Sequence, residues 1–308
     1  MNIEFPATER GKFLFSGASG LLGGALREAL ASDGEVVQLV RREPHDPSEL
    51  QWNPAASMPI ATTNAMEGMT AAIHLSGANV AAHRWTKEYR REIIASRVDS
   101  TRALCEVLAG LQQPPKVLLV ASATGIYGDR GDEVLNEDSA PGRGFLADVC
   151  RAWEAAAQSA VEAGIRVVHL RFGVVLAPGG GALGKMLPVF RLGLGGRLGS
   201  GRQWMSWIGL ADAVAAVRFI LRTPVVAGAV NLTSPEPVTN AEFTKTLAQG
   251  LHRPAFVPAP AFALRIAVGQ MADEALLASA RVLPTRLLDA GFRFSQPTLK
   301  EALGEIAT

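Results

Sequence analysis

The chain has 308 residues, of which 48% are hydrophobic, and its formal net charge is +1 at pH 7. This length suits one large domain and a smaller one, and the hydrophobic share is sufficient for a sizeable core. A net charge so close to zero argues against nucleic acid or an anionic membrane as the main partner.

The sequence also lacks the patterns typical of secreted, membrane-spanning and metal-binding proteins. The N-terminus lacks the basic-then-apolar pattern of a secretion signal, and no apolar run is long enough to span a bilayer, so we expect a cytoplasmic protein without membrane contact. Cys105 and Cys150 have no metal-like spacing and are interpreted as buried thiols in a reducing compartment. The five histidines are scattered, so no metal site is predicted.

The first predicted element is a buried strand that runs into a glycine-rich turn and a helix, in the sequence FLFSGASGLLG at 13–23. Gly17 permits the tight turn, Gly20 lets the backbone approach a pyrophosphate, and Gly23 lets the helix pack closely on the sheet. A helix over about 21–30 and a strand over 36–40 follow at βαβ spacing. The turn therefore predicts a bound dinucleotide; the alternative is an apo fold that merely retains the turn.

The end of the second strand predicts which dinucleotide binds. An NAD site has an acidic residue there to accept from the ribose hydroxyls, but this chain has Arg41 and Arg42. A guanidinium suits the 2′-phosphate, so NADP(H) is predicted rather than NAD(H). The alternative is a pair of solvated arginines, and Asp33 is a poor substitute acid because it lies in the turn before the strand.

Strand-like and helix-like runs then alternate. Strands are predicted over 71–75, 116–120, 165–171 and 229–232, and helices over 87–110, 152–163 and 211–221. Such alternation indicates an α/β fold with a doubly wound parallel sheet, with its ligand at the carboxyl ends of the strands.

The pattern changes after Val175, where glycine-rich segments are followed by a helical, proline-punctuated C-terminal stretch. We predict a dinucleotide-binding Rossmann domain over 1–175, completed by 205–235. Segments 176–204 and 236–308 are predicted to form a smaller, mostly helical substrate lobe. A cleft between the two lobes is the expected substrate site.

Several longer motifs carry a resemblance to a known family. They are GASGLLG, HLSGANVAAHRWT, SATGIYGDRGDE, FLADVCRAWE, the segment from RFGVVLAPGGG to GSGRQWMSWI, and the ending RPAFVPAPAFALRIAVGQMADEALL. Over nearly its full length the chain resembles the extended short-chain dehydrogenase/reductases, and within them the "epimerase family" proteins, often named nucleoside-diphosphate-sugar epimerases or cell-division-inhibitor-like. The resemblance implies a fold and a cofactor site, but it does not identify the substrate.

The resemblance also implies roles for individual residues. Those expected at the pyrophosphate are Gly17, Ser19, Gly20, Leu21 and Leu22, with Arg41 and Arg42 at the adenosine phosphate. Those expected at the ribose and nicotinamide are Ser76 and Gly77 after the fourth strand, Ala121 and Ser122 after the next, and the backbone of Phe172 and Val174. Arg202, Gln203 and Trp207 are expected at the distal part of the substrate.

The chain departs from the family pattern where catalysis is concerned. Extended epimerases carry a Tyr-x-x-x-Lys pair, whose positions fall here near Phe145 and Val149. No lysine occurs between Lys116 and Lys185, and the only tyrosine in that interval is Tyr127. The usual Ser or Thr four residues before that tyrosine is an alanine, and the histidine of the Ser-Trp-Ile-His segment is a glycine.

Several other residues are candidates for the proton donor and for contacts with the substrate, and each has an alternative interpretation. Tyr127 is a candidate proton donor or a residue that packs under the sheet edge, and Ser122 is a candidate to orient a carbonyl. Glu137 and Asp138 are candidate acids or solvated carboxylates. Arg84 and Trp85, beside His83, are predicted to bring a cation and an aromatic wall to the cleft, or to form an ordinary loop with a buried tryptophan. A candidate anion-binding set consists of Arg197, Lys185 and Arg202. The alternative is that these residues belong to a flexible solvated loop.

Two functions of different classes follow. The first is an NADP(H)-dependent oxidoreductase or epimerase-like enzyme that acts on a small, anionic carbonyl or sugar-nucleotide substrate. The second is a non-catalytic NADP(H)-binding redox sensor or regulatory protein. The resemblance further implies a homodimer through the helices over 87–110 and 152–163; the alternative is that their alanine-rich faces pack on the sheet.

Overall fold

The computed structural model describes residues 11–56 and 58–304. Within them the strands, in chain order, are β1 (Gly11–Ser16), β2 (Gly34–Val40), β3 (Glu49–Gln51), β4 (Ala71–His74), β5 (Val117–Ala123), β6 (Val134–Leu135), β7 (Arg166–Phe172), β8 (Val174–Leu176), β9 (Trp204–Met205), β10 (Trp207–Gly209), β11 (Gly228–Leu232), β12 (Val238–Thr239) and β13 (Arg281–Val282).

The α-helices are α1 (Leu21–Ala31), α2 (Ile60–Asn64), α3 (Lys87–Ile94), α4 (Ser100–Ala109), α5 (Phe145–Ala155), α6 (Gln158–Glu162), α7 (Gly181–Arg191), α8 (Leu210–Arg222), α9 (Asn240–Gly250), α10 (Ala261–Val268), α11 (Thr285–Asp289) and α12 (Leu299–Gly304). π-helical turns cover Ala95–Asp99 and Ala272–Leu276, and a 3₁₀ turn covers Thr124–Tyr127. None of the described helices is both long and apolar enough to cross a membrane.

Seven strands form one parallel sheet in the order β11-β7-β5-β4-β1-β2-β3. The central strands are continuous apolar runs because helices cover both faces of the sheet. The strand order reverses direction between β1 and β4, and Ser16 pairs there with His74. A doubly wound sheet binds its ligand at such a switch point, beyond the carboxyl ends of the strands. The predicted fold class is confirmed.

Two hydrophobic clusters hold the helices on the sheet. On one face, Leu26 and Leu30 of α1 and Ile220 of α8 pack against Phe13 and Phe15 of β1. On the other face, residues of α4, α5 and α6 pack against β5; they include Leu104, Leu108, Trp153 and Ala160. Both clusters lie beneath the switch point and hold the strands and helices around it in fixed positions.

A third cluster belongs to the C-terminal part of the chain. It joins α7, α9 and α12 around Trp207 and Phe243, both fully buried. The division into a domain over 1–175 with 205–235 and a lobe over 176–204 with 236–308 remains a prediction, and residues 1–10 and 305–308 lie outside the described residues.

Two predicted helices differ from the structure. The helix predicted over 87–110 consists of α3, a π-helical turn and α4. The single helix predicted over 152–163 is wrong: α5 begins at Phe145 after Gly144, whose φ is +112°, and α6 is separate. The buried positions of α5, Ala147, Val149, Cys150 and Trp153, pack on neighbouring elements, so tertiary contacts rather than alanine content set its bounds.

Candidate cofactor and active site

The glycine turn lies between β1 and α1, at the switch point of the sheet. Gly17 has a φ of +87°, and a Cβ there would lie 2.7 Å from the carbonyl carbon of Leu75. A Cβ on Gly23 would lie 2.1 Å from the carbonyl oxygen of Gly17. Both positions therefore require glycine, because any side chain would collide with backbone.

Gly20 faces open space instead. The nearest atom to a Cβ placed there is the carbonyl oxygen of Gly17, at 3.6 Å. Gly20 is the N-cap of α1, no side chain caps this end, and the first turn contains no acidic residue. The first-turn N–H groups, with Ser19, Leu21 and Leu22 around them, carry the positive end of the helix dipole. This geometry fits a pyrophosphate.

The two arginines after β2 have different partners. Arg42 makes a bidentate ion pair with Glu49 of β3, with Nη2 to Oε1 at 2.6 Å and Nη1 to Oε2 at 2.7 Å. The hydrogen bonds of Arg42 lower the pKa of Glu49 to about 2. Arg41 is exposed and makes no side-chain hydrogen bond or ion pair within the described residues. Arg41 is therefore the guanidinium that is free to meet a phosphate.

Ser76 and Gly77 follow the end of β4 after Leu75, and the Ser76 hydroxyl is hydrogen-bonded to the hydroxyl of Ser16. Beside Gly77 lies a guanidinium that sequence reasoning did not single out. A Cβ on Gly77 would lie 3.1 Å from Cζ of Arg97. Arg97 therefore reaches the strand end that is predicted to border the ribose.

Arg97 is an unusual cation. It lies on the π-helical turn after α3, its Nη2 donates to the carbonyl oxygen of Ala78 at 2.9 Å, and its Cζ is 5.1 Å from the ring centroid of Trp153. Within the described residues it has no carboxylate partner, and burial lowers its pKa. A half-buried guanidinium that keeps its charge without a carboxylate is a candidate to meet a ligand, and π-helical turns are frequent at functional sites.

Ser122 points into the protein rather than into the cleft. Ala121 and Ser122 lie within β5, so their predicted position after the strand was wrong, while their role at the ribose and nicotinamide remains a prediction. The Ser122 hydroxyl donates to Oε1 of Glu154 at 2.7 Å, and Glu154 is paired with Arg171 through both carboxylate oxygens. This pair is largely buried, with side-chain exposures of 9% for Arg171 and 14% for Glu154.

Tyr127 belongs to the same buried network. Its hydroxyl donates to Oδ1 of Asn231 at 2.8 Å and accepts from Nη1 of Arg171 at 2.9 Å, and the residue is fully buried. Burial raises the pKa of Tyr127. Since the hydroxyl already has partners on both sides, this environment favours the packing role over that of proton donor.

The two candidate acids have contrasting environments. Glu137 is buried, its Oε1 accepts from the backbone N–H of Asn231 at 3.0 Å, and its Oε2 has no partner among the described residues. Burial raises the pKa of Glu137. Asp138 is exposed and paired with Arg286 at 2.9 Å. Glu137 is thus tied to β11 inside the protein, and Asp138 is a solvated surface carboxylate.

An apolar cluster occupies the positions where related enzymes carry tyrosine and lysine. Val149 is buried with Trp85, Tyr89 and Met271, and Phe145 packs against the edge of Trp85 at 5.2 Å between ring centroids. Trp85 donates from Nε1 to the carbonyl oxygen of Val80 at 2.8 Å. Trp85 is therefore a core residue of this cluster, as the alternative interpretation held.

Most of the residues predicted to contact the substrate or the carboxamide make hydrogen bonds within the protein instead. Nε2 of Gln203 donates to the carbonyl oxygens of Leu198 and Leu276, and Nε1 of Trp207 donates to that of Glu236 at 3.0 Å. Phe172 is half-buried at the end of β7, and the N–H of Val174 donates to the carbonyl oxygen of Ser206 at 2.8 Å. Gln203 and Trp207 are buried, and Trp207 belongs to the third hydrophobic cluster.

The predicted cations are not brought together. Arg84 donates to the carbonyl oxygen of Ile266 at 3.2 Å, and Lys185 donates to that of Ala81 at 2.9 Å, so the first joins the 77–86 loop to α10 and the second joins it to α7. Arg202 is exposed, and Arg197 lines a separate groove beside α9. In 11–56 and 58–304 no three His, Cys, Asp or Glu residues are grouped so as to hold a metal ion.

Comparison with known proteins identifies the family. Residues 13–232 match the model of the NAD dependent epimerase/dehydratase family, which is more than half of the chain. The chain belongs to this family. Residues 259–306 match a second model, described as a domain of unknown function (DUF1731).

Relatives of this epimerase/dehydratase family member match it nearly end to end. An epimerase family protein of Mycobacterium bovis is 44% identical over 294 residues, covering 95% of this chain and 96% of the relative. The crystal structure of the human epimerase family protein SDR39U1 with NADPH has a TM-score of 0.87 at 34% identity, covering 96% of this chain and 99% of that one.

A bacterial structure is also similar. The nucleoside-diphosphate sugar epimerase from Corynebacterium glutamicum gives a TM-score of 0.79 at 34% identity, covering 97% of this chain and 59% of that one. The resemblance inferred from the motifs is thereby confirmed, and the NADP(H) prediction agrees with the NADPH of the human protein.

Sequence reasoning missed Arg97, Glu154 and Arg171. Arg171 had a recognisable signal, because a charged residue inside a predicted buried strand requires a buried partner. Arg97 had none, since nothing local marks a π-helical turn or shows that a guanidinium reaches the end of another strand.

Proposed function

We propose that the protein binds NADP(H) at the glycine turn and transfers a hydride between it and a small, anionic carbonyl or sugar-nucleotide-like substrate. The observation that carries the proposal is the uncapped N-terminus of α1, with open space above Gly20 and the unpaired Arg41 after the neighbouring strand. The NADPH in the human relative supports it.

In this proposal each group at the strand ends has a role in binding. The first-turn N–H groups around Leu21 and Leu22 hold the pyrophosphate, and Ser76 and Gly77 border the ribose. Arg41 meets the 2′-phosphate, and Arg42, fixed by Glu49, lies beside it. When bound, NADPH supplies the hydride.

Arg97 is the residue that we place nearest the reacting groups. Negative charge develops on the carbonyl oxygen of a substrate as hydride adds to its carbon, and a fixed positive group stabilises that charge until the oxygen takes a proton from water. Arg97 reaches Gly77, and its Nε makes no hydrogen bond within the described residues. Tyr127 and Ser122 are left with structural roles.

A specific observation favours the second candidate function. Phe145 and Val149 pack in an apolar cluster where related enzymes carry their proton donor and lysine. A protein that binds NADP(H) without turnover, and whose lobes change their mutual contacts on binding, would not need the proton donor and the lysine that this cluster replaces. Arg84 and Lys185 would transmit the change, since both bind across the lobes.

The cofactor proposal is tested by thermal unfolding with NADPH and with NADH. Binding to the native state alone stabilises by about 2.7 kcal/mol at a hundredfold excess over the dissociation constant. We expect a larger shift with NADPH than with NADH, and Arg41→Ala should remove the difference. Arg91→Ala, an exposed arginine of α3, is the control. Equal shifts in the native protein would contradict the role of the arginines.

Turnover is tested in single-turnover experiments on the NADPH-loaded protein with a panel of carbonyls, quinones and sugar nucleotides. If one compound class oxidises the nicotinamide, Arg97→Met should slow that step by about 10²-fold or more, as loss of an oxyanion-hole donor does. Arg97→Met should retain NADPH binding, and Tyr127→Phe should react at the native rate. Tight binding without oxidation by any compound would favour the non-catalytic function.

A further inference from the structure

A second concave site lies apart from the glycine turn and the strand ends. It is a groove of about 740 Å³ between α9 and the loop over 252–258. Thr244 and Lys245 line it on the helix side, Arg253 and Phe256 line it on the loop side, and Arg197 lines it as well. No residue predicted to bind the cofactor lines it.

The groove is basic. Arg197, Lys245 and Arg253 are exposed, and none of them makes a side-chain hydrogen bond or an ion pair within the described part of the chain. Among its lining residues none is an aspartate or a glutamate. Because the whole chain is nearly neutral, with 30 basic and 29 acidic residues, three unpaired cations around one concavity mark an anion-binding surface.

The lip of the groove is apolar. Phe256 is 86% exposed, and Pro254 and Pro258 line the groove next to it. An exposed aromatic ring beside cations is the arrangement that stacks a base while its phosphates are neutralised. We propose that this groove is a nucleotide-binding site, separate from the cofactor site, which holds the phosphates on Arg197, Lys245 and Arg253 and the base on Phe256.

The test is calorimetric titration of the full-length protein with ADP, with pyrophosphate and with adenosine, in the absence and in the presence of NADPH. We expect ADP to bind in both conditions and adenosine to bind far more weakly. Lys245→Gln together with Arg253→Gln should weaken ADP by about tenfold or more, as expected for lost charge-assisted contacts. Arg191→Gln with Lys300→Gln, both exposed and outside the groove, is the matched control.

One further variant separates the parts of the site. Phe256→Ser should weaken ADP but leave pyrophosphate unchanged. The proposal is overturned if ADP binding is unaffected by the groove variants, if NADPH abolishes it, or if pyrophosphate binds as tightly as ADP.

Discussion

At the scale of single residues, the type of a side chain does not determine its role. Tyr127 and Ser122 carry the hydroxyls that a reductase site requires, but Asn231, Arg171 and Glu154 already bind them inside the protein. These hydrogen-bonded hydroxyls contribute to the free energy of folding rather than to a reaction, because a buried hydroxyl or charge is costly without a partner. Arg97, which no motif marks, has no carboxylate partner within the described residues.

The pair of Arg171 and Glu154 predicts a pH dependence of stability. Burial by itself raises the pKa of Glu154, but the hydrogen bonds and charge of Arg171, with the hydrogen bond of Ser122, outweigh it and lower the pKa below the usual 4.5. A pKa lower in the folded than in the unfolded state means that the carboxylate contributes its full stability above pH 4.5. That contribution is lost as the pH falls through the folded-state value.

Glu154→Gln should therefore lower the free energy of unfolding at neutral pH by on the order of 3 kcal/mol, because it leaves Arg171 buried without its counter-ion. The difference from the native protein should shrink as the pH falls below 4.5. Urea unfolding across this range measures it. Asp148→Asn, which removes an exposed pair with Arg151 on the same helix, should cost well under 1 kcal/mol. A difference that does not change with pH would contradict the assignment.

At the scale of elements, the glycine turn combines two kinds of glycine. Gly17 and Gly23 are required by neighbouring backbone, whereas Gly20 borders open space. Glycines of the first kind are needed for folding and the glycine of the second kind is needed for ligand binding, although the sequence motif does not distinguish them. The helices show the same limit: α5 begins and ends where buried contacts require, not where alanine is frequent.

A set of alanine substitutions separates these roles. Gly23→Ala should destabilise the fold, because its Cβ would lie 2.1 Å from the carbonyl oxygen of Gly17. Gly20→Ala should leave stability nearly unchanged and weaken NADPH, whose pyrophosphate needs that space. Gly24→Ala, whose Cβ would meet nothing within 3.8 Å, should stabilise α1 by about 1 kcal/mol. Urea unfolding and NADPH titration measure the set, and a stable Gly20→Ala variant with native affinity would count against the pyrophosphate position.

At the scale of the whole molecule, one buried carboxylate joins the sheet layer to the C-terminal segment. Asp212 of α8 is 1% exposed and accepts from the N–H and hydroxyl of Ser295 and from the N–H of Gln296, at 2.7 to 2.9 Å. That segment leads into α12, which packs on α9. The anchor thus fixes α12, and through it α9, relative to α8 and the sheet. The homodimer expected from the helix faces remains a prediction.

Asp212→Asn should release this anchor, because an amide nitrogen cannot accept the bonds that one carboxylate oxygen now receives. We expect a loss of about 2–3 kcal/mol, the range for hydrogen bonds to charged groups. Hydrogen exchange should become faster over 295–304, while the central strands stay protected. Asp289→Asn, at an exposed position, is the control and should have little effect. Uniform loss of protection would indicate that the anchor supports the whole fold rather than this segment.

The sequence by itself determined the α/β class, the parallel sheet, the family and the position of the cofactor turn, because periodicity and glycine spacing are local properties that the chain expresses directly. It also located the absence of the tyrosine and lysine pair. Only the tertiary structure decided that Arg41 is free while Arg42 is paired, that Ser122 and Tyr127 face a buried network, and that Arg97 reaches Gly77. Each of these depends on partners from distant parts of the chain, and no local pattern encodes which side chain will lie opposite another.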